Sequence, residues 1–107
     1  MATIQIADNA VNTSVDTPQV IFTAGTTGVT IESFTASNTS AVNASYKAYI
    51  KTIAGPLQPQ RPFKVVVWGE SDLGIGVVNQ LIPANAQLLV EASATNSIYF
   101  TVTGRES

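Results

Sequence analysis

Glu70 and Asp72 form the one close pair of carboxylates in this chain of 107 residues, within Gly69-Glu70-Ser71-Asp72-Leu73-Gly74-Ile75-Gly76. On a strand, a spacing of two would turn both toward one side, as an acid and a base must be placed for glycoside hydrolysis. On a loop, the same two carboxylates with backbone carbonyls could hold Ca²⁺, a hard cation that takes oxygen ligands. The flanking glycines place the pair on a loop, which breaks the shared face. The run also lacks the regular Asp-x-Asp-x-Asp spacing of a calcium loop. A solvated turn is the simpler reading. Gly74-Ile75-Gly76 does not complete a dinucleotide fingerprint and has no βαβ context, so it reads as loop flexibility.

Other chemistry is thinner. The chain has no His and no Cys, which removes the usual general base, the imidazole metal ligand, disulfides and thiolate metal sites. Serine nucleophiles have no His partner, and no G-x-S-x-G elbow occurs. The expectation is a chain that is not an enzyme, with no catalytic residue, no cofactor and no metal.

Charge narrows the partners. Net charge is −2 and only 11% of residues are charged, against about 25% in ordinary domains. The cations Lys47, Lys51, Arg61, Lys64 and Arg105 never fall three together, whereas a phosphate backbone calls for a clustered basic stripe. No apolar run approaches the ~20 residues of a spanning helix. Nucleic acid and membrane are therefore not expected partners. Thr, Ser, Asn and Gln carry the solubility, and a neutral polar surface desolvates cheaply against another protein. Residues 1–8 lack a basic segment followed by an apolar core, so no secretory signal is read there and synthesis in a cytoplasm is expected.

The elements that must position any site are strands. β-branched and aromatic residues recur in short blocks separated by Gly, Pro, Asn and Ser, with no sustained helical period. The blocks are 3–7, 19–24, 29–37, 45–52, 63–68, 87–94 and 97–103. Residues 1–17 beyond the first block read as an arm or edge segment. Gly25-Thr26-Thr27-Gly28 suggests a hairpin between 19–24 and 29–37, and Thr95-Asn96 suggests a closing hairpin between the last two blocks. Val29 and Ile31 share one parity while Phe34 and Ala36 share the other, so a bulge near Glu32-Ser33 would put all four on one face. Residues 54–62 hold three prolines and read as a long exposed loop. Phe22, Phe34, Phe63 and Phe100 read as core. Trp68 is read as packed against a sheet or loop, while Tyr49 and Tyr99 fall on outward parities. The predicted fold is all-β: one domain over 1–107, an antiparallel β-sandwich or jelly roll of about seven or eight short strands with an extended N-terminal arm.

From about Pro18 onward the chain resembles small virion structural proteins of tailed bacteriophages. The residues that carry the likeness are the strand–turn–strand IFTAGTTGVTIESFTASNTS, the turn VNQLIPANAQL and the closing strand TVTGRE. The resemblance implies a capsid decoration or cement protein that binds a major capsid protein or another virion protein. It also implies a homo-oligomer, often a trimer, located in the virion after synthesis in the host bacterial cytoplasm. No catalytic residues come with it. The residues expected at the interface are Ile4, Ile6, Val11 and Val15 of the arm, Pro56, Leu57, Pro59 and Arg61 of the loop, and outward Tyr49 and Tyr99. Two alternatives stay open: a receptor- or carbohydrate-binding module using loops 56–62 and 69–76, and a neck or tail joining protein.

Overall fold

The computed structural model describes residues 3–57 and 59–106, with side chains described outside 58–63. Nine strands follow in chain order: β1 Thr3–Val11, β2 Gln19–Thr23, β3 Val29–Asn38, β4 Ala44–Lys51, β5 Pro59–Val66, β6 Ser71–Asp72, β7 Leu81–Ile82, β8 Gln87–Ala92 and β9 Ile98–Glu106. The first sheet has the order β1-β9-β3-β6, with β7 also paired to β3, and the second has the order β2-β8-β4-β5. Every pairing is antiparallel. The protein is an all-β sandwich.

Alternation along each strand builds the core. Val29, Ile31, Phe34, Ala36, Ile98, Phe100 and Val102 of the first sheet face Tyr46, Ala48, Leu88 and Val90 of the second, and all are buried. The parity switch inside β3 needs the expected bulge, and the register with β9 shifts between Ile31 and Ser33. Phe34, Tyr46 and Phe100 meet at the centre, with Phe34 stacked on Tyr46 at 5.8 Å between ring centroids and Phe100 edge-on to Tyr46 at 5.5 Å. Such geometry suits the ring quadrupoles.

Several expectations are corrected. The glycine turn after β2 does not close a hairpin: β2 pairs with β8 while β3 pairs with β9, so Gly25–Gly28 carries the chain between sheets. Thr95-Asn96 does the same between β8 and β9. Short Gly- and Asn-containing turns serve hairpins and sheet crossings alike, so local turn chemistry does not separate them. Of the two readings of the N-terminal segment, the structure shows the edge strand: Thr3 lies opposite Arg105 and Val11 opposite Tyr99. The loop 54–62 is shorter than expected, because Pro59–Val66 is a strand on the sheet edge, where proline is tolerated. Among the described side chains of β5 Val66 is buried and Val65 exposed, and just beyond the strand Val67 and Trp68 are exposed. Trp68 is therefore not packed as expected. Phe22 is half-buried against the core, and the side chain of Phe63 lies outside the described residues.

Candidate functional site

The residues expected to meet a partner are scattered. Ile6 is buried in the core and Ile4 packs against it. Val11 and Tyr99 are half-buried register partners at the edge of the first sheet. Val15 is exposed, and the neighbouring Asp16 N–H donates to Ala92 O at 2.8 Å, level with Tyr46 of β4. Pro56 and Leu57 are exposed beyond Lys51, at the opposite end of β4. Pro59 and Arg61 stand opposite Tyr49 and Ala48 in the ladder, and their side chains lie outside the described residues. Those of the set whose side chains are described share no single face.

Tyr49 is a special case, because it is only 5% exposed despite its outward parity. Its hydroxyl donates to Glu91 Oε1 at 2.6 Å, and Lys47 Nζ lies 3.9 Å from Glu91 Oε2. Burial, then the hydrogen bond to Glu91 and its negative charge, push the Tyr49 phenol up to about 12. A phenol raised above its ordinary value favours the neutral form in the folded chain, so the stabilisation is complete below the usual 10 and is lost as pH rises through about 12. The melting-temperature advantage of the wild type over Tyr49→Phe should accordingly shrink above pH 10. A difference that stays flat to pH 12 would show that the phenol is not held this way.

The segment between β6 and β7 presents a more coherent feature. It runs along the open edge of β3, and it is fixed at both ends. Ala36 and Ser37 pair with Asp72 and Ser71, and Val29 and Thr30 pair with Ile82 and Leu81. Asn79 N–H donates to Ile31 O at 2.7 Å, and Ile31 N–H returns a bond to Gln80 O at 2.9 Å. Between these anchors Val77 N–H closes a turn onto Gly74 O at 2.9 Å, and the Val77 side chain is fully buried.

Asp72 is the main side-chain anchor. Tyr46, standing in the core, donates its hydroxyl to Asp72 Oδ2, and Gly74 N–H donates to the same oxygen at 3.2 Å. Glu70 is exposed, and its carbonyl accepts from Asn38 N–H at 2.9 Å. The acidic pair is thus divided between a structural anchor and a surface side chain. Gly74 is not there for flexibility, contrary to expectation. Its φ is +66°, and a Cβ would collide with the Phe34 ring. Glycine is what lets the backbone lie flat on that ring.

This anchored loop holds two large aliphatic side chains in water: Leu73 is 67% exposed and Ile75 77%. Together with Val78, Phe34, Glu32, Ser33 and Thr35 they line an open groove of about 370 Å³. Its walls are apolar, and the one charge on its rim, Glu32, is compensated by Arg105 at 2.8 Å. The side chains sequence reasoning missed were Leu73 and Ile75. Their signal was two aliphatic residues, two apart, interleaved with glycines in a segment otherwise read as solvated.

Among the described residues no three His, Cys, Asp or Glu come together as metal ligands, and no helix is long and apolar enough to cross a membrane. What the geometry defines is a small antiparallel β-sandwich with a rigid apolar loop on one sheet edge. No family model, no curated protein and no solved structure matches the chain.

Proposed function

We propose that this protein is a non-enzymatic structural component that acts by docking its Leu73–Ile75 loop into a larger protein assembly. In the reading that the sequence resemblance favours, that assembly is the shell of a tailed-phage virion and the protein decorates or cements it. The carrying observation is the fixed exposure of Leu73 and Ile75. Scattered surface aliphatics are ordinary, but two on a loop pinned by Asp72, Val77 and Asn79 cannot turn inward. A soluble chain keeps such a feature where a partner covers it. The groove beside them supports a protein partner over a glycan, since sugar recognition needs several convergent polar groups and this groove is apolar-walled. The low charge content adds support, because little desolvation opposes close contact. Many weak copies on a repeating shell would bind far more tightly together than singly.

Add-back to shells lacking the protein tests this. Shells carrying it should stay closed at a temperature that opens bare ones. A Leu73→Ser/Ile75→Ser double variant, folded by circular dichroism, should bind at least about tenfold more weakly. Equal heat resistance with and without the protein would reject cementing. Unchanged binding of the double variant would reject the loop as the contact.

A further inference from the structure

Leu73 stands at the centre of a turn closed by its two neighbours: Gly74 N–H donates to Asp72 Oδ2, two residues back, at 3.2 Å. Gly74 is buried, so its N–H needs that acceptor. An aspartate closes a turn on its own backbone only while its carboxylate keeps one orientation. Asp72 is half-buried on a strand of two residues, where other staggered orientations compete. A further bond must hold the one that presents Leu73.

That bond comes from the centre of the molecule. Tyr46 lies on β4 of the second sheet, opposite Ala92 of β8 on one side and Lys64 of β5 on the other, and is 1% exposed. Its ring stacks on Phe34 of the first sheet, and its hydroxyl donates to Asp72 Oδ2, the oxygen that also receives Gly74 N–H. The Phe34 ring lies against Gly74 in turn, where a Cβ would strike it. Tyr46 thus holds Gly74 along two routes, one through an aromatic stack and one through a shared carboxylate oxygen.

We propose that the Tyr46 hydroxyl is a positioning group for the Leu73–Ile75 loop: it fixes the carboxylate that closes the Leu73 turn and so sets how tightly the loop docks, without touching the partner. Its part in docking rests on the reading of the loop given above, whereas its part in ordering the loop does not. Ring and hydroxyl have separable roles. The ring supplies apolar packing, which phenylalanine would supply as well. The hydroxyl's bond to Asp72 ends on the loop's anchor, away from the ladder that joins β3 to β9. A loop already held in its docking shape loses little freedom on binding, while a loosened one must be ordered first and binds more weakly.

Amide hydrogen exchange of the full chain reads the ordering directly. In Tyr46→Phe the amides of Gly74 and Val77 should exchange at least about tenfold faster, beyond any rise shared with the β3–β9 ladder, whose amides report opening of the whole sandwich. Asp72→Ala should free the same amides at least as far. Tyr46→Phe added to it should change them by less than about twofold, because the hydroxyl acts through that carboxylate. On bare shells Tyr46→Phe should bind at least about threefold more weakly than wild type, although Leu73 and Ile75 are intact. Circular dichroism checks folding, and if Asp72→Ala is unfolded, Tyr46→Phe decides alone. An unchanged Gly74 amide, a rise shared equally by loop and ladder, additive effects in the double variant, or shell binding equal to wild type would each overturn the proposal. If the wild type itself does not bind shells, the docking reading falls, and the exchange rates alone decide for or against Tyr46.

Discussion

Phe34→Ala is expected to cost about 3–5 kcal/mol of stability, read as a fall in the urea midpoint with an unchanged slope. The ring is 1% exposed and touches both other aromatics of the core, Tyr46 at 5.8 Å and Phe100 at 5.9 Å. Truncation removes those contacts and leaves a void that the two sheets cannot close, because their spacing is held by the neighbouring Ile31, Val90 and Val102. A second effect follows from Gly74, whose backbone rests on the Phe34 ring. Without the ring the Leu73–Ile75 loop loses its floor, so binding through that loop should weaken even in conditions where the variant stays folded. Phe22→Ala, at a half-buried position on the rim of the core, should cost clearly less. A loss under about 1 kcal/mol for Phe34→Ala would mean that the ring does not organise the core.

Gly104→Val should be as damaging by the opposite route. A Cβ at Gly104 would stand 2.5 Å from Ile6 Cδ1, 2.8 Å from Val29 Cγ1 and 2.7 Å from the Thr30 carbonyl oxygen. The tip of Ile6 can swing aside. The Thr30 oxygen belongs to the β3 backbone, which is locked to β9 through nine register pairs from Val29–Glu106 to Asn38–Ile98, so it moves only if that ladder opens. Overpacking in cores costs about 1–3 kcal/mol, and valine, with two methyls beyond that Cβ, should reach or pass the upper end. Gly25→Ala is the control, since nothing lies within 4 Å of a Cβ there, and it should be near neutral in the same thermal or urea measurement.

Periodicity carried the fold a long way and then stopped at a definable point. The bulge at Glu32–Ser33 was legible because Val29, Ile31, Phe34 and Ala36 could share a face in no other manner, and the register shift between Ile31 and Ser33 is that bulge. The all-β sandwich and the burial of Phe34 and Phe100 were legible for the same reason. Which strands pair was not. Gly25–Gly28 and Thr95-Asn96 have the chemistry of tight turns, and a tight turn serves equally to step from one sheet to the other. β6 and β7, at two residues each, are too short to show any period.

The site was less legible than the fold. Parity placed Trp68 against packing partners, but the strand ends at Val66 and the indole stands exposed on the turn that follows, where strand parity no longer applies. The same parity argument turned Tyr49 outward, and it is nevertheless buried, with Glu91 as its acceptor. Loop 69–76 stood as a recognition face in one alternative, but Leu73 and Ile75 were not singled out within it because composition marks Gly-rich segments as mobile. Only the Asp72, Val77 and Asn79 anchors reveal that the loop is rigid, and those anchors are long-range contacts that no window of sequence contains.

The place of β9 between β1 and β3 sets the order in which this chain can mature during synthesis. The first and third strands leave the ribosome with a gap between them that only the ninth fills, so half of the sandwich stays open until Glu106 has emerged. Until then Phe34 lacks its β9 neighbours Val102 and Phe100, and the nascent chain exposes apolar surface of the kind that makes incomplete folds prone to aggregation. Contacts of such long sequence separation also belong to the slow end of small-domain folding, from milliseconds to seconds.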